Sequence, residues 1–418
     1  MANKLGAAIV NRILRAHSSN RPFLVIIVIP AVPGFAGDLK SDSALGTRAI
    51  MEFQYFSINR GGHSIIETLH ENGVEDVGQY IRFYNLRNYD RINVSATMHE
   101  AEQASGVSYE SARREHDDVV GGGFREPEGQ RDRSRYERYQ DAASKVRDET
   151  WDSVAACYMA DGPSLPEIPW HGDPEAEMDA FVSEELYVHS KLLVADDRLV
   201  IVGSANINDR SQLGSHDSEI AVVIEDPTPV QSSMDGEAHS ASRFAASLRR
   251  YIFRKHLGLV SHQRVDAPDG NWTSVEGCAN QYDWGSDADL LVADPLSSEF
   301  RRLWDETARV NTEVFDRAFH CVPSDNVRTW EAYDEFFSQH FYDPLAEKGK
   351  DDGKGGKGKV PYGHVVRSEF PDGVEELKRW LGRVRGTLVE MPLGFLGDVE
   401  DIAKEGMELN GLTMDLYT

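Results

Sequence analysis

YVHSKLLVADDRLVIVGSANINDRSQLGSHDSEIAVV, residues Tyr187–Val223, is the stretch that decides how this chain folds. Its apolar residues fall into three runs, Leu186–Ala195, Leu199–Val202 and Glu219–Ile224, which predict three strands. Asp196, Asp197 and Arg198 separate the first two as a tight turn. Alternate side chains of a strand share a face, so His189 and Lys191 are expected to point the same way. The returning strand then brings Gly203 and Ser204 to that end of the hairpin. Lys191 would supply charge there, with a hydroxyl from Ser204 and an amide from Asn206, a set suited to gripping a phosphoryl oxygen. Glu219, on the third strand, is expected to hold the other ring nitrogen of His189 and so fix its tautomer. Asp196 reads as a turn residue rather than a catalytic one, and Gly203 as part of the structural motif.

Outward from this stretch, Leu5–Leu14 spaces its apolar side chains as one helix face, and Phe23–Ile29 is a β-branched run typical of a strand buried on both sides. Helices are expected at Leu45–Phe56, Ser64–His70 and Ser242–Leu257, a strand at Gln79–Tyr84, and a late helix at Leu377–Val384. Helices alternating with strands predict an α/β class, a mixed β-sheet flanked by helices. The organisation follows: an α/β part over 1–88, a charged and partly disordered or loosely helical insertion over 89–180, the motif-bearing strands and helix over 181–260, and a C-terminal region over 261–418 with a Lys/Gly-rich loop at 346–360. The insertion is too polar to offset the entropy of ordering by burial alone. Its end, from Trp151 to Trp170, is expected to dock back onto the body.

The 418 residues carry a formal net charge of -26, which disfavours nucleic acid as a general partner. A basic helix with Arg243, Arg249, Arg250, Arg254 and Lys255 suggests a solvated face beside the core more than a lipid-headgroup patch. Cys157, Cys278 and Cys321 have no paired spacing, so neither a disulfide framework nor a zinc site is expected, and a cytoplasmic setting fits. The longest apolar run is far too short to span a bilayer, so a lipid substrate would be met peripherally, at a membrane surface. Asp287 and Asp289 read as a solvated pair in a loop. The aromatic residues Trp272, Tyr282, Trp284 and Trp304 read as packing rather than as a choline cage.

The spacing HxKxxxxDxxxxxxGSxN, from His189 to Asn206, resembles the HKD motif of the phospholipase D superfamily. GSANINDRSQLGSHDSEIAVVIED is similar to the second, C-terminal HKD region of eukaryotic, fungal-type phospholipases D. NKLGAAIVNRILRAH, VIIVIPAVPGFAGDL, IMEFQYFSINRGGHSI, SRFAASLRRYIFRKHLG and the closing MDLYT resemble the same enzymes in the same order. The resemblance implies one lobe of the phospholipase D fold. It also implies hydrolysis of phosphatidylcholine to phosphatidate and choline, with transfer to alcohols, using neither metal nor cofactor. His189 then matches the general acid/base, with Lys191, Ser204 and Asn206 on the phosphate and Glu219 behind the imidazole. Tyr417 and Thr418 match a tail that packs near the active site.

In-line displacement at phosphorus needs an attacking group and a protonating group on opposite sides. None of the other histidines is followed two residues later by lysine, so the sequence holds one motif of the expected two. A C-terminal half of a larger phospholipase D, inactive alone, is the favoured expectation. The partner would be the missing N-terminal catalytic half or a second copy of the chain. The alternatives are a homodimeric phosphodiesterase or nuclease with a single motif, and a non-catalytic lipid-phosphate-binding or regulatory pseudoenzyme.

Overall fold

The computed structural model describes residues 3–32, 39–40, 44–92, 96–121, 134–146, 159–160, 164–170, 173–261, 284–342 and 358–403. Cys157, Cys278, Trp151–Tyr158, Trp272, Tyr282, Tyr417, Thr418 and all of the Lys/Gly-rich loop before residue 358 lie outside them.

Mixed sheets flanked by helices give the α/β class expected from the sequence. The hub of the main sheet is the strand Ile81–Arg91. Val25–Val28 runs parallel to its first residues, with Val25 opposite Ile81, and Leu388–Glu390 runs antiparallel to its middle, with Leu388 opposite Leu86. Phe181–Glu185 runs antiparallel to its last residues, with Arg91 opposite Phe181. The run Phe23–Ile29 packs on both faces as expected, Val25 and Ile27 against one core cluster and Ile26 and Val28 against another, with each residue half-buried in this edge strand. The hub extends well past Tyr84. Asn85, Arg87, Asn88 and Arg91 continue it and are all buried, so an apolar alternation cannot reveal it.

Packing follows from helix periodicity. Leu5–Ser18 buries Val10, Ile13 and Ala16 and packs on Ile65–Glu71, which opens with a capping box between Ser64 and Glu67. The long helix Ser298–Phe319 buries Phe300, Trp304, Ala308, Asn311, Phe315 and Phe319, an i, i+4 stripe against the sheet. Asn311 is fully buried in that stripe, and its amide donates to Arg385 O at 2.7 Å and Leu388 O at 2.9 Å. This satisfied amide locks the edge strand Leu388–Glu390 onto the helix. Asp289, read as solvated, is instead fully buried against Arg250 at 2.8 Å. Trp304 is core, as expected. No helix among the described residues is long and apolar enough to cross a membrane.

The insertion leaves and returns at one point, since Ile92 N–H donates to Ala180 O at 2.7 Å. Within it, Ala96–Ser105, Tyr109–Gly121 and Ser134–Ala143 form helices that pack on one another, with Ala101, Ala112 and Ala142 buried between them. Small residues let these otherwise charged helices close up. Leu165 and Ile168 dock into the main core, and Trp170 lies against Arg91.

Glu52, on the helix Leu45–Ile58, accepts the backbone N–H of Ile402 at 3.2 Å, and its burial pushes its carboxyl up to about 6. The folded value exceeds the unfolded one, so the native state holds the proton more tightly. That stabilisation is present below the unfolded value and is lost as pH rises through about 6. Glu52→Gln should therefore raise the melting temperature at pH 7.5, by the equivalent of about 2 kcal/mol, and the gain should vanish below about pH 4. Paired thermal melts at the two pH values check this.

Candidate active site

The motif stretch folds as an antiparallel sheet of three strands, Lys191–Ala195, Leu199–Gly203 and Ala221–Ile224. Lys191 faces Gly203, and Gly203 faces Ala221. Asp196 and Asp197 both take positive φ, at 50° and 54°, as the two central residues of a tight hairpin turn require. Asp196 is exposed at the turn, consistent with a structural role, and its carbonyl meets His239 Nε2 at 2.8 Å. Asp197 is buried and takes both forks of Arg249, at 2.5 and 2.7 Å. The basic helix Arg243–Leu257 thus spends Arg249 and Arg250 on buried acids, Asp197 and Asp289, which leaves neither for lipid headgroups. Sequence spacing singled out Asp196 and missed Asp197, although an arginine-rich helix with a buried face needs acidic partners.

The other end of the sheet is open. His189 is not on a strand, because the pairing stops at Lys191–Gly203. Its ring is exposed and lies 6.0 Å from Tyr187. Lys191 Nζ donates to His189 O at 2.5 Å. Glu219 does not receive the imidazole as the sequence suggested. One of its oxygens accepts from the Ser204 hydroxyl and the other from Ser211 Oγ at 2.6 Å. These hydroxyls hold its carboxyl below the usual range, and the Lys191 charge adds to the effect. Among the described residues, no hydrogen bond reaches the His189 ring. Lys191, Ser204 and Glu219 are thus brought together, with His189 at the edge of the group. Asn206 is exposed nearby, and its carbonyl accepts from Gln212 at 2.6 Å.

Residues beyond Asn206 build the support. Arg210 and Asp217 close the intervening loop with contacts of 2.7 and 3.1 Å. Asn208 caps the short helix Asp209–Gln212, and Asn3, just before the helix Leu5–Ser18, grips Asp209. These roles were missed because none of the five residues belongs to the His-Lys spacing. Gly203 is sterically required: a Cβ there would lie 2.2 Å from Ile220 O and 2.6 Å from Ala221 Cα. Gly203→Ala should force the third strand away and cost about 2–3 kcal/mol. Loss of hydrogen-exchange protection at Ala221–Ile224, with a lower melting temperature, checks it.

The group that results is a single imidazole beside an ammonium, a hydroxyl and a carboxylate at an open sheet end. The family profile described as Phospholipase D matches residues 169–281, the segment that carries all of them. Phospholipase D zeta 2 of Arabidopsis thaliana is 29% identical over 405 residues, covering 96% of this chain and 27% of that protein. Residues 169–281 match the phospholipase D family, and the chain is similar to phospholipases D over nearly its whole length. Phospholipase D1 of Homo sapiens is 28% identical over 417 residues, covering 100% of this chain and 26% of the relative. Phospholipase D1 of Schizosaccharomyces pombe is 32% identical over 282 residues, covering 66% of this chain and 14% of that protein. The chain spans about a quarter of the length of the first two relatives.

Proposed function

We propose that this chain supplies one His-Lys half-site of a phospholipase D that hydrolyses phosphatidylcholine to phosphatidate and choline at a membrane surface. The observation that carries this reading is the gathering of Lys191, Ser204 and Glu219 at the open end of the motif sheet, with His189 beside them. An ammonium and a hydroxyl there can take the phosphoryl oxygens of a phosphodiester, with Asn206 as a third donor. In this reading a histidine from a second lobe attacks phosphorus and forms a phosphohistidine. His189 gives its proton to the departing choline oxygen. It then takes a proton from the water that releases phosphatidate, or, in a transfer reaction, from the alcohol that releases the phosphatidylalcohol.

The surface around this end supports a second lobe. Ile220 is 75% exposed, Val223 59%, Ile207 57% and Val222 54%, all on or beside one small sheet whose outer strand edge is unpaired among the described residues. Covering such side chains gains on the order of 1 kcal/mol each. A lobe carrying its own His-Lys pair, docked here, would place an imidazole on the far side of phosphorus from His189.

The test is transfer of the phosphatidyl group from phosphatidylcholine to butanol, with release of choline. The purified chain alone should form no phosphatidylbutanol, and the chain combined with a lobe bearing the other motif should form it. Turnover by the chain alone as a monomer on a sizing column would overturn the half-site reading, and failure to bind phosphate would remove the cradle itself.

A further inference from the structure

Two strands end head to head on one edge of the hub. Val25–Val28 pairs in parallel with residues 81–84, and Phe181–Glu185 pairs with residues 87–91 from the opposite direction. Only Asn85 and Leu86 of the hub separate the two carboxyl ends. The carbonyls of Tyr84 and Leu86 point to the same edge and accept the last N–H from each side, Ile29 at 2.9 Å and Leu186 at 2.8 Å. Both chains then leave the sheet. One runs on through Pro30, Ala31 and Val32, and the other reaches His189 four residues after Glu185. A crevice outside the carboxyl ends of strands, where neighbouring chains part, is the usual place for a ligand in an open α/β sheet.

One side chain joins the two exits. The Glu185 carboxylate accepts Ala31 N–H at 2.5 Å on one oxygen and Val32 N–H at 3.3 Å on the other. Gln54 donates to Pro30 O of the same loop at 3.1 Å. Ala31 is buried, so its N–H requires an acceptor from the protein. Burial pushes the Glu185 carboxyl above its usual range. The guanidinium of Arg87, opposite it in the strand pair, acts against that, as do the two N–H groups and Asn85. Arg87 is itself buried, and the one hydrogen bond of its guanidinium among the described residues goes to Ser183 Oγ at 3.4 Å. Holding a carboxylate here costs desolvation that an apolar side chain would avoid. What it gains is two N–H groups on two separate oxygens.

We propose that Glu185 is a positioning residue: by clamping the loop through Ala31 and Val32 to the strand that delivers His189, it turns the two chain exits into one rigid wall beside the imidazole. It acts through the backbone on either side of it, not on the anion. The proposal rests on the half-site reading above and adds to it a residue outside the His-Lys spacing.

The experiment has two arms, each comparing Glu185→Gln with wild type below the melting temperature of both, where a loss of global stability alone leaves kcat unchanged. In the full chain, amide hydrogen exchange at Ala31 or Val32 should lose protection by about tenfold, with Val25–Val28 unchanged. A glutamine offers one acceptor oxygen and sets its own N–H₂ against the second donor. In the chain combined with a lobe bearing the other motif, kcat for phosphatidylbutanol formation should fall by about tenfold. KM, and the affinity of the full chain for inorganic phosphate, should stay within about twofold, since Lys191 and Ser204 are untouched. Should Glu185→Gln fail to fold because Arg87 loses its counter-charge, Glu185→Gln/Arg87→Met removes both charges together and takes its place. Lost protection with wild-type kcat makes the clamp purely structural and overturns the proposal. Wild-type protection at both amides overturns it too, as does a fall in phosphate affinity that matches the fall in kcat. A wild-type pair that forms no phosphatidylbutanol overturns the half-site reading and the positioning role with it. A pair that is equally active with wild type and variant overturns the positioning role alone.

Discussion

Asp197→Asn should destabilise the chain by about 3–5 kcal/mol, while Asp196→Asn, one residue away in the same turn, should change stability by less than about 0.5 kcal/mol. Both substitutions keep a side chain that tolerates positive φ, so the turn conformation at 50° and 54° is not at issue. What differs is burial. The Asp197 side chain is fully buried, and both its oxygens take Arg249, at 2.5 and 2.7 Å. Arg249 also donates to Val292 O at 2.7 Å and Ala293 O at 3.0 Å, so its charge is fixed in the core whether or not a carboxylate faces it. An asparagine amide can accept one of the two forks and sets its own N–H₂ against the other. A buried guanidinium without a counter-charge is the costly outcome, more so than the loss of one hydrogen bond. The Asp196 side chain is exposed, and only its backbone carbonyl makes a contact, with His239. Urea unfolding of the two variants side by side measures the difference. Equal midpoints would mean that Asp197 does not anchor the hairpin. The second consequence is local: the turn end of the sheet is tied to the helix Arg243–Leu257 through this pair and through Ser242 N–H to Asp197 O at 2.7 Å. Loosening it should weaken the opposite end, where Lys191 and Ser204 sit.

This contrast shows where sequence pattern is informative. The hairpin, its turn and the third strand are legible because β-branched runs and an Asp-Asp turn leave few other conformations. The placing of His189 is less so. A period of two assumes that the strand continues through it, and the pairing stops at Lys191, opposite Gly203. The partner of Glu219 is misread for a related reason: Ser211 lies in a loop-borne helix that closes back through Arg210 and Asp217, and strand periodicity does not describe that closure. The second half of the hub strand is hidden because Asn85, Arg87, Asn88 and Arg91 are polar residues that the fold buries. The insertion is the opposite case, since helices too polar to have a core of their own pack through alanines at Ala101, Ala112 and Ala142.

In a completed two-lobe enzyme, His189→Asn should lower the rate of phosphatidylbutanol formation by on the order of 10⁴-fold, with little change in folding. The ring is exposed and makes no hydrogen bond to the described residues, so removing it costs the fold almost nothing and isolates its chemistry. Asparagine keeps a polar planar group of similar reach but cannot carry a proton to the departing choline oxygen. Lys191→Arg should lose about 10²–10³-fold for a different reason. Lys191 is half-buried at the start of its strand, with Nζ on the carbonyl of His189 at 2.5 Å. An ammonium there is a compact charge that can be shared between that carbonyl and an arriving phosphate. A guanidinium is longer and planar, and its donors would be directed past both. The two variants should also separate in kind. The lysine variant should bind inorganic phosphate more weakly than wild type, whereas the histidine variant should bind it almost unchanged, because the imidazole acts on the leaving group rather than on the oxygens that are gripped. Near-wild-type transfer by His189→Asn would remove it as the proton carrier. Unaltered phosphate affinity in Lys191→Arg would remove the ammonium from the cradle.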